Sequence, residues 1–176
     1  YRMKPVKDQA KWETVDDNSD SNFKQNMGAG GIGHKYFFND NTYIKSALAG
    51  TYTKNTLLWD VFDTDMKLSR GADLKGTNWT ASFNTYVNKK FSSVHTNRTG
   101  INVSRLAYDI NYNISPYFPN AFKAMENYAE SDGNTMLYSG FTNSTVRLGN
   151  KITANIGVSG LYFALNKEYS IEPRAG

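Results

Sequence analysis

Residues with catalytic or metal-binding chemistry are few, and their spacing forms no recognisable site. His34 and His95 are the only histidines, and neither has a ligand or general-base partner at a characteristic spacing. The lack of cysteine excludes a disulfide scaffold, a thiolate metal site and a cysteine nucleophile. Residues 28–33 satisfy the pattern G-x-G-x-x-G, but an aromatic, strand-like run follows them where a dinucleotide site needs a helix. We therefore expect no enzyme activity and no cofactor.

Binding chemistry is concentrated in two stretches that we expect to be loops. In the first, a tryptophan is followed by three closely spaced aspartates, which could bind Ca²⁺ but more often form a solvated acidic loop. In the second, aromatic side chains are prominent, and they could grip a ligand or pack on a neighbouring loop. Both alternatives stay open. The ligand-binding candidates are Trp59, Asp60, Asp63, Asp65, Tyr117, Phe118 and Tyr128, and the weak calcium candidate is the three aspartates Asp60, Asp63 and Asp65.

The charge pattern argues against nucleic-acid binding. The net charge is +4, the Lys and Arg residues are scattered, and the longest basic run is Lys89 and Lys90. A nucleic-acid footprint needs a basic stripe or a known motif, and the sequence has neither. We expect no nucleic acid among the partners.

Apolar and polar residues alternate along most of the chain, which is typical of β-strands with one apolar and one polar face. The clearest case is 152–162, where Ile156 and Val158 alternate with Asn155 and Ser159. Segments 79–90 and 106–114 repeat the pattern, 42–53 shows it more weakly, 135–148 is also strand-like, and 27–38 is Gly-rich and then aromatic. In a barrel, the polar residues of each alternating strand would face the lumen. The lumen-facing candidates are Lys45, Arg105, Asp109 and Arg147.

One segment changes its parity. Ile101 and Val103 have the opposite parity to Leu106 and Tyr108 within a single run. This predicts either a β-bulge that shifts the register or a strand end that packs against something inside.

The connections between these strands differ systematically in length. Short turns are predicted at 39–41, 92–97 and 149–151, whereas 55–76, 115–133 and the N-terminal 1–22 are long. Runs of about 12 residues exceed the usual soluble strand but match a tilted strand that crosses a bilayer. Short turns at one end and long loops at the other are typical of outer-membrane barrels. Aromatic residues near the strand ends suggest girdles at the two membrane interfaces; they are Tyr36, Phe37, Phe38, Phe91, Tyr162 and Phe163.

These patterns predict an all-β fold. It would be an antiparallel transmembrane β-barrel segment of about six strands plus the start of a seventh, with long outer loops. Residues 1–176 would form one partial barrel domain, placed in the outer membrane of a Gram-negative bacterium and in contact with membrane lipid and lipopolysaccharide. No run of 18 apolar residues occurs, and mean hydropathy is −0.59, but barrel strands give a weak hydropathy signal.

Three segments resemble the barrel of TonB-dependent outer-membrane receptors, in particular the variety with a carboxypeptidase-regulatory-like N-terminal domain. They are GIGHKYFFNDNTYIKSALAG at 31–50, LGNKITANIGVSGLYFALN at 148–166 and IEPRAG at 171–176. In that family an E-P-R-x-G run opens a strand after an outer loop, and Glu172, Pro173, Arg174 and Gly176 match it.

The resemblance implies energised import of a scarce nutrient. A plug domain inside the barrel and a TonB box would lie before Tyr1, the TonB complex would be the energising partner, and a surface lipoprotein could cap the barrel. Two alternatives remain. One is a passive porin or structural subunit of an outer-membrane complex on the same scaffold, and the other is a soluble β-sandwich that binds glycans.

Overall fold

The computed structural model is all-β, and its strands are unusually long. It describes residues 1–63, 65–118, 121–122, 124–149 and 151–176, with the side chains of 15, 117, 118, 121 and 122 left undescribed. Two short 3-10 helices, Gln9–Lys11 and Val15–Asn18, lie in the N-terminal stretch. The strands are β1 (Arg2–Met3), β2 (Ser19–Asn39), β3 (Thr42–Phe62), β4 (Leu68–Lys90), β5 (His95–Ile114), β6 (Tyr117–Phe118), β7 (Ala121–Phe122), β8 (Glu126–Leu148), β9 (Ile152–Phe163) and β10 (Glu168–Ala175).

Eight of these strands form one open antiparallel sheet. Its order is β1-β2-β3-β4-β5-β8-β9-β10, and β6 pairs with β7 as a separate two-stranded ribbon. Neighbours in the sheet are neighbours along the chain once that ribbon is set aside, so the sheet is a meander. The prediction of an all-β antiparallel fold is confirmed, with six strands of 12 to 23 residues and a seventh of eight. No helix in the described ranges is long and apolar enough to cross a membrane.

The turns at 40–41, 91–94 and 149–151 are as short as the sequence indicates. Gly149 has φ of +78°, a left-handed conformation that glycine adopts without steric cost and that tight hairpins need. Asn150, the next residue in the sequence, lies outside the described residues.

The predicted long loops are largely strand instead. Within 55–76 only residues 63–67 connect β3 to β4 (Thr64 lying outside the described residues), because cross-strand contacts continue to the tip. The Trp59 ring covers Gly71, and Asp60 pairs with Arg70 across the same hairpin. Similarly, β8 begins at Glu126, so the connection predicted at 115–133 shortens to 115–125. The polar run 126–134 lacks the apolar alternation by which its strand could have been recognised.

The chain divides into two compact units, to which the long strands contribute different residues. The first unit contains Tyr1–Gly28, Tyr52–Asn78 and Tyr108–Gly133, and the second contains Ala29–Thr51, Trp79–Ala107 and Asn134–Gly176. The first unit has ten Lys or Arg and thirteen Asp or Glu, a net charge of −3. The second has ten Lys or Arg and only three Asp or Glu, a net charge of +7. The modest net charge of the whole chain therefore hides a strongly basic second unit.

Almost no apolar side chain is buried. In the described part of the chain only Val61 and Ala72 count as buried hydrophobic residues, at 6% and 5% exposure. The described part of the sheet therefore has no packed core on either face.

Candidate functional site

The two faces of the second unit differ in chemistry. In the β8–β9 register, Ile156 lies opposite Ser144 and Val158 opposite Thr142. We call the side that carries Ile152, Ile156, Val158 and Tyr162 the apolar face. The other side, which carries Asn143, Asn155, Ser159 and Arg174, is the polar face.

A groove of about 750 Å³ lies on the polar face. It contains two guanidinium groups, Arg98 and Arg174, set among amide and hydroxyl side chains. Asn155 Oδ1 accepts a hydrogen bond of 2.7 Å from the Thr145 hydroxyl, and Glu172 lies 3.4 Å from Arg174. Its two guanidinium groups suit a hydrated or anionic group, and apolar side chains such as Phe141 and Val158 also line the groove. The polar lining residues are Asn88, Thr96, Arg98, Thr142, Asn143, Thr145, Asn155, Ser159 and Arg174.

Cations and aromatic rings alternate across the strands that lead to this groove. The Lys35 ammonium lies 4.4 Å from the ring centre of Phe37 and 4.1 Å from that of Tyr43. Tyr43 meets Tyr86 edge-on at 6.3 Å, and the Arg98 guanidinium lies 4.8 Å from the Tyr86 ring. Cation–π contacts of this kind stabilise by about 0.5–1 kcal/mol each at exposed sites. They also fix the positions of the positive charges on the polar face.

Two glycines give this face its shape. A Cβ on Gly100 would lie 2.6 Å from the Tyr86 Cβ and 3.0 Å from the Phe141 ring. A Cβ on Gly157 would lie 2.7 Å from both the Thr142 carbonyl oxygen and Asn143 Oδ1. Both positions are therefore closed to larger residues unless the neighbours move, and Gly157 leaves the groove floor open.

A second concavity of about 430 Å³ lies towards the β9–β10 turn. Its aliphatic and aromatic lining includes Leu106, Leu137, Leu161 and Phe163, and Asn166, Glu168 and Ser170 lie beside them. Phe163 lies opposite Leu137 in the register and so faces away from Tyr162. Of the aromatic residues predicted for girdles, Phe163 therefore belongs to the polar side, and so does Phe37, whose ring centre lies 5.6 Å from that of Tyr43.

Exposed apolar residues cover the other side of the second unit. Ile152, Ile156 and Ile171 are 61%, 63% and 68% exposed. Three tyrosines cross β8, β9 and β10 in one row, because Tyr138 and Tyr169 both lie opposite Tyr162. At the end with the short turns, aromatic residues are again exposed; they are Tyr36, Phe38 and Phe91.

The predicted lumen-facing residues do not share one face. Arg105 lies 5.2 Å from the Trp79 ring centre, and Trp79 belongs to the apolar parity of β4, opposite to the side predicted for Arg105. Strand β5 is continuous, so Arg105 lies on the same side of the sheet as Ile101 and Val103. The apolar run that begins at Leu106 lies on the other side. Asp109, on β5 in the first unit, is exposed.

Lys45 and Arg147 lie as their parity predicts. Both are exposed. Lys45 lies two residues after Tyr43 on the same strand and therefore shares its side of the sheet, which is the polar side. Arg147 lies opposite Thr153, also on the polar side.

The predicted loop candidates lie in the first unit, and the aspartates have other partners. Asp60 pairs with Arg70, and Asp63 Oδ1 accepts hydrogen bonds from the backbone N–H groups of Asp65 and Lys67 at 3.0 and 2.9 Å. No group of three or more acidic or histidine side chains in the described ranges could hold a metal ion, so the weak calcium candidate has no support.

The aromatic candidates contact other strands. Trp59 is 40% exposed and covers Gly71, while Tyr128 is 68% exposed and meets Tyr112 edge-on at 5.5 Å. The side chains of Tyr117 and Phe118 lie outside the described residues. The two described rings therefore show strand packing, and Tyr128 remains largely exposed.

The N-terminal stretch is anchored to the first unit by an ion pair and a tryptophan. Arg2 donates from Nε and Nη2 to the two carboxylate oxygens of Asp20, at 3.0 and 2.6 Å. This contact lowers the pKa of Asp20 and raises that of Arg2. Trp12 donates from its indole N–H to the Val6 carbonyl and stacks at 6.4 Å on Phe62.

Sequence reasoning missed the groove and its arginines. Arg98 stands in a polar strand position without any motif, and Arg174 was noticed only within E-P-R-x-G. The available signal was the basic composition of 79–107 and 134–176, which becomes visible only when these segments are grouped. No family model matches this chain, and no curated protein matches it.

Proposed function

We propose that this chain forms part of an outer-membrane β-barrel transporter, and that the strands of its second unit cross the bilayer. One observation carries the proposal: a face of exposed Ile, Val, Leu and Tyr side chains on a sheet with almost no buried apolar residue. Each large apolar side chain that stays in water lacks the stabilisation of about 1.5–3 kcal/mol that its burial would provide. A lipid environment removes that cost, and hairpins that close into a barrel satisfy the backbone hydrogen bonds there.

The dimensions fit a bilayer. The second unit contains ten to fifteen residues of each of the six long strands, and a tilted crossing needs about 9–11 residues. From Ile152 to Tyr162 a strand extends about 33 Å. At the usual barrel tilt this spans a height of about 25 Å, the height of the apolar band of outer-membrane barrels. The exposed Tyr138, Tyr162 and Tyr169 row would lie at one interface, and Tyr36, Phe38 and Phe91 at the other.

The polar face would then line the barrel interior. Its arginines, amides and hydroxyls suit water or a polar plug, as in barrels too wide for their own side chains to fill. Within this framework, the resemblance of 31–50, 148–166 and 171–176 supports the TonB-dependent class. These segments correspond to the β2–β3 hairpin, to β9 with its two turns, and to β10. Energised nutrient import, a plug, a TonB complex and a covering lipoprotein are parts of this proposal.

The alternative of a soluble glycan-binding sandwich has less support. A sandwich buries the inner faces of two sheets against each other, whereas the described residues form one eight-stranded sheet and a short two-stranded ribbon. A passive pore would use the same faces as an energised importer. Capture of the full-length protein by the periplasmic domain of TonB separates these two, since a passive pore has no TonB box.

Single-cysteine labelling in native outer membranes tests the membrane placement. The chain has no cysteine of its own, so each introduced thiol reports one position. Ile156→Cys and Val158→Cys should react with a lipid-soluble maleimide and resist a charged one. Asn155→Cys and Ser159→Cys should show the opposite preference or protection by a plug. Equal aqueous labelling of all four positions, or recovery of the protein in the soluble fraction, would refute the proposal.

A further inference from the structure

A connected polar cluster lies on the apolar face beside the short turn at 91–94. It begins with Lys89, whose ammonium lies 4.8 Å from the ring centre of Phe91. Phe91 stacks on the His95 imidazole with ring centres 5.0 Å apart and planes 18° from parallel. His95 Nε2 shares a hydrogen bond of 3.2 Å with the Ser144 hydroxyl. Because Ser144 lies opposite Ile156 in the register, this row belongs to the apolar face.

The cluster continues along β5 and β8 and satisfies its own hydrogen bonds. Asn97 donates from Nδ2 to Ser144 at 3.0 Å and to Thr142 at 3.1 Å. Its Oδ1 accepts from the Thr99 hydroxyl at 2.8 Å, and Thr99 also bonds to Thr142. A polar group costs little near a lipid surface when each donor and acceptor has a partner. The amide and hydroxyl groups are thus compatible with a membrane interface.

The ammonium of Lys89 gives this cluster a positive charge. In the described ranges it has a ring partner but forms no ion pair with a carboxylate, and it is exposed. Exposed apolar side chains adjoin the cluster on the same side of the sheet, namely Leu148 at 57%, Ile152 at 61% and Ile156 at 63%. A cation and an imidazole at the edge of an apolar strip match an amphiphile with an anionic headgroup and an acyl chain.

We propose that Lys89 and His95, held on either side of the Phe91 ring, bind the phosphodiester headgroup of an anionic glycerophospholipid, whose acyl chain lies along Leu148, Ile152 and Ile156. This inference rests on the proposed membrane placement. Short turns of outer-membrane barrels lie on the periplasmic side, where the leaflet is phospholipid. The charge of Lys89 supplies the attraction, the hydrogen-bonded row holds His95 in place, and the apolar strip accommodates the chain.

Two matched variants test the site. Lys89→Gln and Lys90→Gln remove the same charge from adjacent residues, but Lys90 has the parity of the polar face. The full-length protein is extracted, delipidated and exchanged with phosphatidylglycerol, and retained lipid is quantified by native mass spectrometry. Lys89→Gln should weaken retention about fivefold, the effect of one basic residue at a membrane surface, and Lys90→Gln should leave it unchanged. Phe91→Leu should also weaken retention, because it removes the ring that lies against both the Lys89 ammonium and the His95 imidazole.

The controls separate the possible failures. Equal loss in the two lysine variants would show only general charge attraction and overturn the site, as would no loss in either. Competition by inorganic phosphate at the concentration of the lipid would show a free-anion site and overturn the lipid assignment. If the alternating cysteine labelling fails, the membrane placement itself fails. If that labelling succeeds and lipid retention is insensitive to Lys89, only the lipid site is lost.

Discussion

Tyr86 and Gly100 lie side by side on β4 and β5, so close that a Cβ on residue 100 would lie 2.6 Å from the Tyr86 Cβ. The ring of Phe141 reaches the same place from β8, at 3.0 Å from that Cβ position. A glycine on the middle strand thus lets aromatic side chains from both neighbouring strands meet over its backbone. A single ring covers a strand glycine in a similar way where Trp59 lies over Gly71. Aromatic residues over strand glycines fix the register of long strands.

Gly100→Ala should therefore destabilise the protein. The added methyl would also lie 2.6 Å from the Thr85 carbonyl oxygen, which is backbone and cannot move aside cheaply. Overpacking of this kind costs about 1–3 kcal/mol. The matched control is Gly140→Ala, whose Cβ would meet Gly100 O at an ordinary 3.8 Å. Urea unfolding followed by tryptophan fluorescence measures both, and equal midpoints for the two variants would contradict the close contact.

Charge placed on alternate positions of β9 should have unequal consequences. Ile156→Arg would put a guanidinium on the apolar face, which at a bilayer midplane costs about 2–4 kcal/mol. Ser159→Arg would put the same group on the polar face opposite Glu172, where an ion pair is available. We expect Ile156→Arg to lower the yield of folded, heat-modifiable protein in membranes and Ser159→Arg to leave it near the wild-type level. The reverse order would mean that the polar side is the one facing lipid.

Attachment of the N-terminal stretch should weaken in acid. The hydrogen bond from Arg2 holds the pKa of Asp20 below its ordinary value of 3.8, and backbone N–H groups of Thr14 and Glu13 do the same for Asp17. A carboxylate with a lowered folded-state pKa stabilises fully above its unfolded value, and that stability is lost as the pH falls through the lowered one. The stretch should therefore remain protected down to about pH 4 and open below it.

Asp20→Asn should remove much of this dependence, since the amide does not titrate and pairs more weakly with Arg2. Hydrogen exchange or protease cleavage within residues 1–18, compared between pH 6 and pH 3, gives the measurement. Lys11 pairs with Asp8 at 3.3 Å on an exposed surface, so Asp8→Asn is the matched control and should behave as the wild type. An acid response that survives Asp20→Asn would assign the effect to another group.

The sequence predicts the strands wherever alternation is strong. Period-two patterns located β9 and the part of β4 in the second unit, because residues there alternate between two environments. Residues 126–134 form the start of β8 without such a pattern, since their side chains are mostly exposed and no environment selects apolar types. The face of Arg105 was mistaken for a related reason. Its ring partner Trp79 lies on a neighbouring strand, and no local pattern shows a cross-strand contact.

The groove was not predictable either, because it depends on contacts between strands that no local pattern shows. Its arginines, Arg98 on β5 and Arg174 on β10, are 76 positions apart in the sequence. Only the sheet register brings them to the same side. The loop aspartates show the converse error. Their spacing suggested a cation site, but Arg70 and the backbone N–H groups of a tight turn satisfy them, and local spacing does not reveal such partners.

The tyrosine row offers a test that separates a membrane role from ordinary packing. Tyr138 and Tyr162 lie 6.1 Å apart by ring centres, and Tyr169 follows in the next strand. Tyr162→Ser should lose about 0.5–1.5 kcal/mol for each ring pair in detergent, and more in lipid vesicles if the row lies at a lipid interface. If the row lies at a lipid interface, Tyr162→Trp should instead retain stability in lipid vesicles, because tryptophan favours that interface. Tyr128→Ser removes one ring contact in the first unit and should cost the same in lipid as in detergent. The free energy of unfolding is measured in lipid vesicles and in detergent. A Tyr162→Ser loss that is no larger in lipid would place the row away from the membrane interface.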